Sequence, residues 1–196
     1  GVIYLAVGDC TGHGVPGAML SVIGLNSLSH CLNDMGLTRP KDVLMQMTLD
    51  LLLAFEGSGA TVRDGMDIAL CAIDQKAMTL TYAGANNPLW VARGDEIIQL
   101  KADRRPVGFH DRELAFTQQE LNLHKGDCIY IFSDGFQDQM GGPDGKKFMT
   151  RKFRNLLLRV NHLPVSAQID ELKAALDAWR GYDPQTDDIC VMGVRV

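Results

Sequence analysis

The order of apolar segments constrains this chain most: one strand, two helices, a run of hairpin strands, two helices, one strand. Val2 to Val7 reads as a short buried strand. A helix follows from Pro16 towards Gly36, with Ala18, Leu20, Val22, Ile23, Leu25, Leu28 and Leu32 as its apolar face. A second runs from Pro40 to about Phe55 with Val43, Leu44, Met47, Leu51 and Leu52 inward. From Met66 the text turns to strands. MDIALCAID and AMTLTYAGA meet at a tight Gln75-Lys76 turn, and PLWVARGDEIIQL folds back at Gly94-Asp95. RELAFTQQELNL and CIYIFS follow, then amphipathic helices over 150–160 and 166–179, then the strand ICVMGVRV. Paired helices and hairpin strands exclude an alternating βαβ fold. They predict an α+β protein, a four-layer α/β/β/α sandwich in which helix pairs flank two antiparallel sheets.

The 196 residues suit a single domain, 1–196, with 46% hydrophobic residues to build its core. A net charge of −5 speaks against nucleic acid as a partner, because phosphate neutralisation needs a basic surface. No uninterrupted apolar run approaches the ~18 residues of a membrane span, so no membrane contact is expected. The five cysteines, at 10, 31, 71, 128 and 190, form no CxxC pair, which fits buried, reduced thiols in the cytoplasm. Gly1 opens directly into a strand without a charged leader. The expectation is a C-terminal fragment of a longer regulatory protein, its N-terminal strand or strands missing.

GHGVPG, Gly12 to Gly17, satisfies G-x-G-x-x-G between a strand and a helix. A dinucleotide site would need a second parallel strand about thirty residues on; here a second helix comes first. The other reading is a sharp strand-to-helix corner that only glycine permits. That reading leaves Asp9, at the strand's exit, unexplained.

Three apolar strands carry a carboxylate where they leave or enter a sheet: Asp9, Asp134 in SDGFQD, and Asp187-Asp188 in TDDI. One such Asp is an ordinary turn residue. Three on neighbouring strands would repel one another unless a cation held them. Oxygen ligands without His/Cys spacing favour Mg²⁺ or Mn²⁺ over Zn²⁺. Two such ions about 3.5–4 Å apart hydrolyse phosphate esters without a protein nucleophile.

GDCTGHGVPGAMLS, YAGANNPLW, RRPVG, FSDGFQD and TDDI, in this order, resemble the metal-dependent serine/threonine protein phosphatases of the PPM superfamily, type 2C-like. The likeness is to the bacterial branch typified by stage II sporulation protein E and the sigma-factor-regulating phosphatases. The resemblance implies Mn²⁺- or Mg²⁺-dependent hydrolysis of phosphoserine or phosphothreonine by metal-activated water, in signal transduction. Asp9 would bridge two ions, with the backbone carbonyl of Cys10 as a further ligand, and Asp134 and Asp187 would complete the carboxylates. Asp138 would serve a weak third site, with Asp188 a lesser candidate. The partners implied are a phosphorylated regulatory protein as substrate, such as an anti-sigma-factor antagonist, and an upstream sensory or receiver domain, with room for a homodimer.

The sequence also departs from that family. The acidic residue of an upstream G-D-[FWY] motif falls outside this chain. Asn86 and Asn87 stand near an acidic third-metal ligand of eukaryotic relatives, and Cys190 replaces the usual Thr or Ser. Eukaryotic relatives place His where Thr11 stands, so His13 is a candidate for proton transfer to the leaving group, or a hydrogen-bonding turn residue. Arg104 and Arg105 read as a solvated basic pair that could meet a phosphate. Trp90 and Trp179 read as core, and GGPDGKK as a polar turn. The competing class is a catalytically degenerate module that keeps the fold as a regulatory binding domain.

Overall fold

The computed structural model describes residues 1–12, 14–55, 65–108 and 115–196. In chain order the elements are β1 (Val2–Cys10), α1 (Gly14–Ser29) with a wider π turn (His30–Asp34), α2 (Pro40–Phe55), β2 (Gly65–Asp74), β3 (Thr79–Ala85), β4 (Leu89–Arg93) and β5 (Glu96–Leu100). There follow β6 (Val107–Gly108), β7 (Gln119–Asn122), β8 (Cys128–Phe132), α3 (Gly135–Asp138), β9 (Met140–Gly141), β10 (Lys146–Lys147), α4 (Thr150–Val160), α5 (Val165–Arg180) and β11 (Val191–Arg195). They form two compact units: Gly1–Leu89 with Leu100–Leu123, and Trp90–Gln99 with His124–Val196. Each contains an antiparallel sheet and a pair of helices, the α+β composition expected.

In the first unit the strand order is β1-β2-β3-β7, with β6 pairing β2. Alternate residues of the sheet, Met66, Ile68, Leu70, Ala83 and Ala85, meet Leu20, Cys31, Val43, Leu44, Met47 and Leu51 of the helices in one buried cluster. The intervening residues of β2, Asp67 among them, therefore point to the other face.

α2 buries the side read from its periodicity. α1 does not. Its buried residues are Gly17, Leu20, Gly24 and Ser27, continued by Cys31, while Val22 and Leu25 of the expected inward face are 59% and 68% exposed. Close approach decides this. A Cβ on Gly24 would lie 2.2 Å from the Met66 methyl, so the helix packs through its small residues. Together with its π turn, α1 spans 21 residues at a mean hydropathy of 1.3, long and apolar enough to cross a membrane by length and composition. Interspersed Gly, Ser and Asn hide that in a count of uninterrupted apolar residues.

β1 is not the buried strand expected: only Val7 is fully buried, because β1 ends the strand order. The β2–β3 turn is two residues longer than read. It spans Gln75–Met78, Met78 is left-handed (φ +52°), and the Asp74 carboxylate accepts the amides of Lys76 and Ala77 at 2.9 and 3.0 Å.

In the second unit the order is β11-β8-β4-β5, and Gly94 (φ +56°) closes the β4–β5 hairpin as expected. Trp90, Phe132 and Phe153 stack at its centre, Trp90–Phe132 at 4.8 Å and Phe132–Phe153 at 5.0 Å between ring centroids. Trp179 joins the same core. GGPDGKK forms the β9–β10 hairpin and is more than a polar turn: the Gly142 amide donates to the Trp179 carbonyl (2.7 Å), and a Cβ there would meet the indole at 2.6 Å. All five cysteines are free, and Cys190 is exposed where burial was expected.

Candidate functional site

The second unit gathers Asp134, Asp138 and Asp187. Asp134 follows β8 directly, and its neighbours tie it to the segment before β11. The Ser133 amide donates to the Cys190 carbonyl (3.0 Å), the Ser133 hydroxyl to the Asp188 carbonyl (2.9 Å), and the Cys190 amide to Ser133 Oγ (3.0 Å). Gly135 completes the clamp, since a Cβ on it would lie 2.2 Å from the Asp188 oxygen. This is why SDG and TDD occur as a matched pair. Asp188 contributes its backbone to the clamp, and its amide donates to Asp187 Oδ1 at 2.8 Å, orienting that carboxylate.

Sequence reasoning missed Gln139. Fully buried, it donates through Nε2 to the Met140 and Pro184 carbonyls (2.9 and 3.0 Å) and accepts the Thr186 amide (3.1 Å). It thus fixes the approach to Asp187 from α3. No local pattern marks it, because two of its three partners, Pro184 and Thr186, lie 45 and 47 residues away.

Desolvation pushes the Asp134 carboxyl above its ordinary value, and the charges of Asp138 and Asp187 push the same way. Lys147 opposes them, its ammonium 2.6 Å from Asp138 Oδ2. Solvent still reaches Asp134 and partly screens the repulsion.

In the first unit Asp9 sits near the end of β1 and pairs across the ladder with Asp67 of β2. Thr11 extends that ladder: its amide donates to the Gly65 carbonyl (2.9 Å), and its hydroxyl oxygen accepts the Gly65 amide (2.9 Å). The glycine motif is a corner, with Gly12 and Gly14 left-handed (φ +87° and +70°). A Cβ on Gly17 would sit 2.9 Å from the Gly12 oxygen. His13 lies outside the described residues. Burial pushes the Cys10 thiol up, and the thiol accepts a hydrogen bond from Ser21 Oγ at 3.3 Å. Arg105 is 5% exposed and stacks on Phe116 at 4.6 Å, so the solvated basic pair of the sequence reading holds for Arg104 alone.

Asp134, Asp138 and Asp187 are thus within electrostatic reach in one unit, and Asp9 stands beside Asp67 in the other. Among the described residues no three His, Cys, Asp or Glu form a group that could hold a metal ion. The donor chemistry nevertheless fits a hard divalent cation: the candidates are carboxylates, and Asp134 stands among like charges, those of Asp138 and Asp187, that a cation would neutralise.

The stage II sporulation protein E family matches the chain over residues 1–196. No curated protein matches it in sequence. Among solved structures, the SiaA-PP2C domain of Pseudomonas aeruginosa is 28% identical with a TM-score of 0.87, covering 100% of this chain and 78% of that one. The PP2C phosphatase domain with a regulatory-domain fragment of the cell fate determinant SpoIIE from Bacillus subtilis is 18% identical (TM-score 0.75, covering 99% and 54%). The RsbU and RsbW domains of a Mycobacterium tuberculosis protein are 19% identical (TM-score 0.73, covering 99% and 51%). The last two are likenesses of fold, and the chain spans about half of each.

Proposed function

Because the chain belongs to the stage II sporulation protein E family of PP2C-type serine/threonine phosphatase domains, we propose that it removes phosphate from phosphoserine or phosphothreonine on a regulatory protein, as the catalytic domain of a longer cytoplasmic chain. The observation that carries this reading is the clamp joining Ser133–Gly135 to 188–190, which keeps Asp187 beside Asp134. Asp9, the Cys10 carbonyl, Asp134 and Asp187 would hold Mn²⁺ or Mg²⁺; Asp138 and Asp188 are lesser candidates. Bound there, such ions supply Lewis acidity, lowering the pKa of a water and neutralising phosphate oxygens.

The chain's own residues do the positioning. Ser133 and Gly135 fix the spacing of the two acidic segments, Gln139 fixes the approach to Asp187, and the Asp188 amide sets the Asp187 rotamer. Lys147 holds Asp138 and eases the repulsion on Asp134, in a place where it would compete with a third ion. The solved relatives that carry a regulatory-domain fragment or an RsbW domain support control by attached domains; the substrate we propose is a phosphorylated regulatory protein, such as an anti-sigma-factor antagonist.

The test is phosphate release from phosphoserine and phosphothreonine peptides with Mn²⁺ or Mg²⁺. Activity should vanish with chelator and fall at least a hundredfold in Asp134→Asn. Mn²⁺ binding without hydrolysis of any phosphopeptide would replace this reading with the degenerate binding module.

A further inference from the structure

We infer that Asp67, on β2, is an additional carboxylate of the cation site built on Asp9. This inference rests on the metal-dependent reading above. Asp9 and Asp67 are direct partners in the antiparallel β1–β2 ladder, so their side chains leave the sheet on the same face. That face is opposite to the helices, because Met66 and Ile68 on either side of Asp67 are the ones in the helix-facing cluster. Directly opposed Cβ atoms lie about 4.5–5.5 Å apart, within reach of one ion shared by two carboxylates, and like charges so placed destabilise a sheet.

The third strand orients the pair. Ile68 pairs with Ala85, which brings the next residue of the chain, Asn86, beside Asp67. Asn86 is held left-handed (φ +57°) with its amide donating to the Asp103 carbonyl at 2.8 Å. Its Nδ2 donates to Asp67 Oδ1 at 2.7 Å. Asn86 thus fixes the orientation of the Asp67 carboxylate. An aimed carboxylate facing Asp9 suits a hard divalent cation bound through oxygen.

The experiment is calorimetric titration of the chain with Mn²⁺, in wild type, Asp67→Asn, Asn86→Ala and, as a control on the same sheet, the exposed Glu120→Gln. The expected result is binding at least tenfold weaker in Asp67→Asn, a smaller loss in Asn86→Ala, and wild-type affinity in Glu120→Gln. The Mn²⁺-induced rise in melting temperature should shrink in the same order. Wild-type affinity in both Asp67→Asn and Asn86→Ala would overturn the role of Asp67 while leaving the metal reading intact. Failure of the wild type to bind either Mn²⁺ or Mg²⁺ would overturn both.

Discussion

The side chain of Asp127 is only 2% exposed, and it takes both ends of the Arg93 guanidinium, Nε at 3.0 Å and Nη2 at 2.7 Å. It also accepts the His124 amide at 2.9 Å. Burial alone would push its carboxyl up, but the Arg93 bonds and charge and the His124 amide outweigh it and hold the group below its ordinary 3.8. A carboxyl depressed in the folded state adds stability that is present above the unfolded value and is lost as pH falls through the folded one. Asp127→Asn should therefore cost about 2–3 kcal/mol at pH 7, leaving Arg93 without its charged partner. In thermal melts the gap between wild type and variant should close as pH drops below 3.8; a gap constant with pH would show that the charge contributes nothing. In sequence, HKGD reads only as a turn, because the residue that gives Asp127 its role lies 34 positions earlier. Asp9 and Asp134 were legible as carboxylates near strand ends, a local property, whereas Asp187 lies four residues before β11 and not at its start. Asp67 was not: its significance comes from the strand beside it.

At the scale of elements, the two helices of the first unit were legible to different degrees for one physical reason. Periodicity finds the side of a helix that buries large apolar groups, which is how α2 packs. It fails where burial follows from close approach, as along Gly17, Leu20, Gly24, Ser27 and Cys31. The sequence reading counts Leu20 and Leu25 alike as inward, whereas the structure leaves Leu20 1% and Leu25 68% exposed. Leu20→Ala should cost about 2–4 kcal/mol in urea denaturation, from lost burial and a residual cavity. Leu25→Ala should fall within about 0.5 kcal/mol of wild type. Equal losses at both positions would restore the apolar-face assignment of α1. Hairpins told a similar story. Gly94-Asp95 was legible because two-residue turns demand glycine-like backbone, while the Gln75–Met78 turn depends on Asp74 capping amides beyond it.

For the whole molecule, fold class was readable from the order of elements, but strand partnership was not. β8 pairs with β11 some sixty residues later, and the β4–β5 hairpin belongs to the second unit although the chain on either side of it belongs to the first. Such crossings leave no local trace, since pairing energy does not depend on which loop brings a strand to its place. The proposed metal carboxylates, Asp9, Asp134 and Asp187, are likewise far apart in sequence. Anything that binds the folded chain alone stabilises it by mass action, by about 2.7 kcal/mol at a hundredfold excess over Kd. For a chain of this size that is roughly 5–10 °C in Tm. Mn²⁺ at that excess should raise the wild-type melting temperature by this amount, and chelator should reverse it. Asp9→Asn and Asp134→Asn should each abolish most of the rise. A full rise retained in either variant would remove the substituted carboxylate from the cation site.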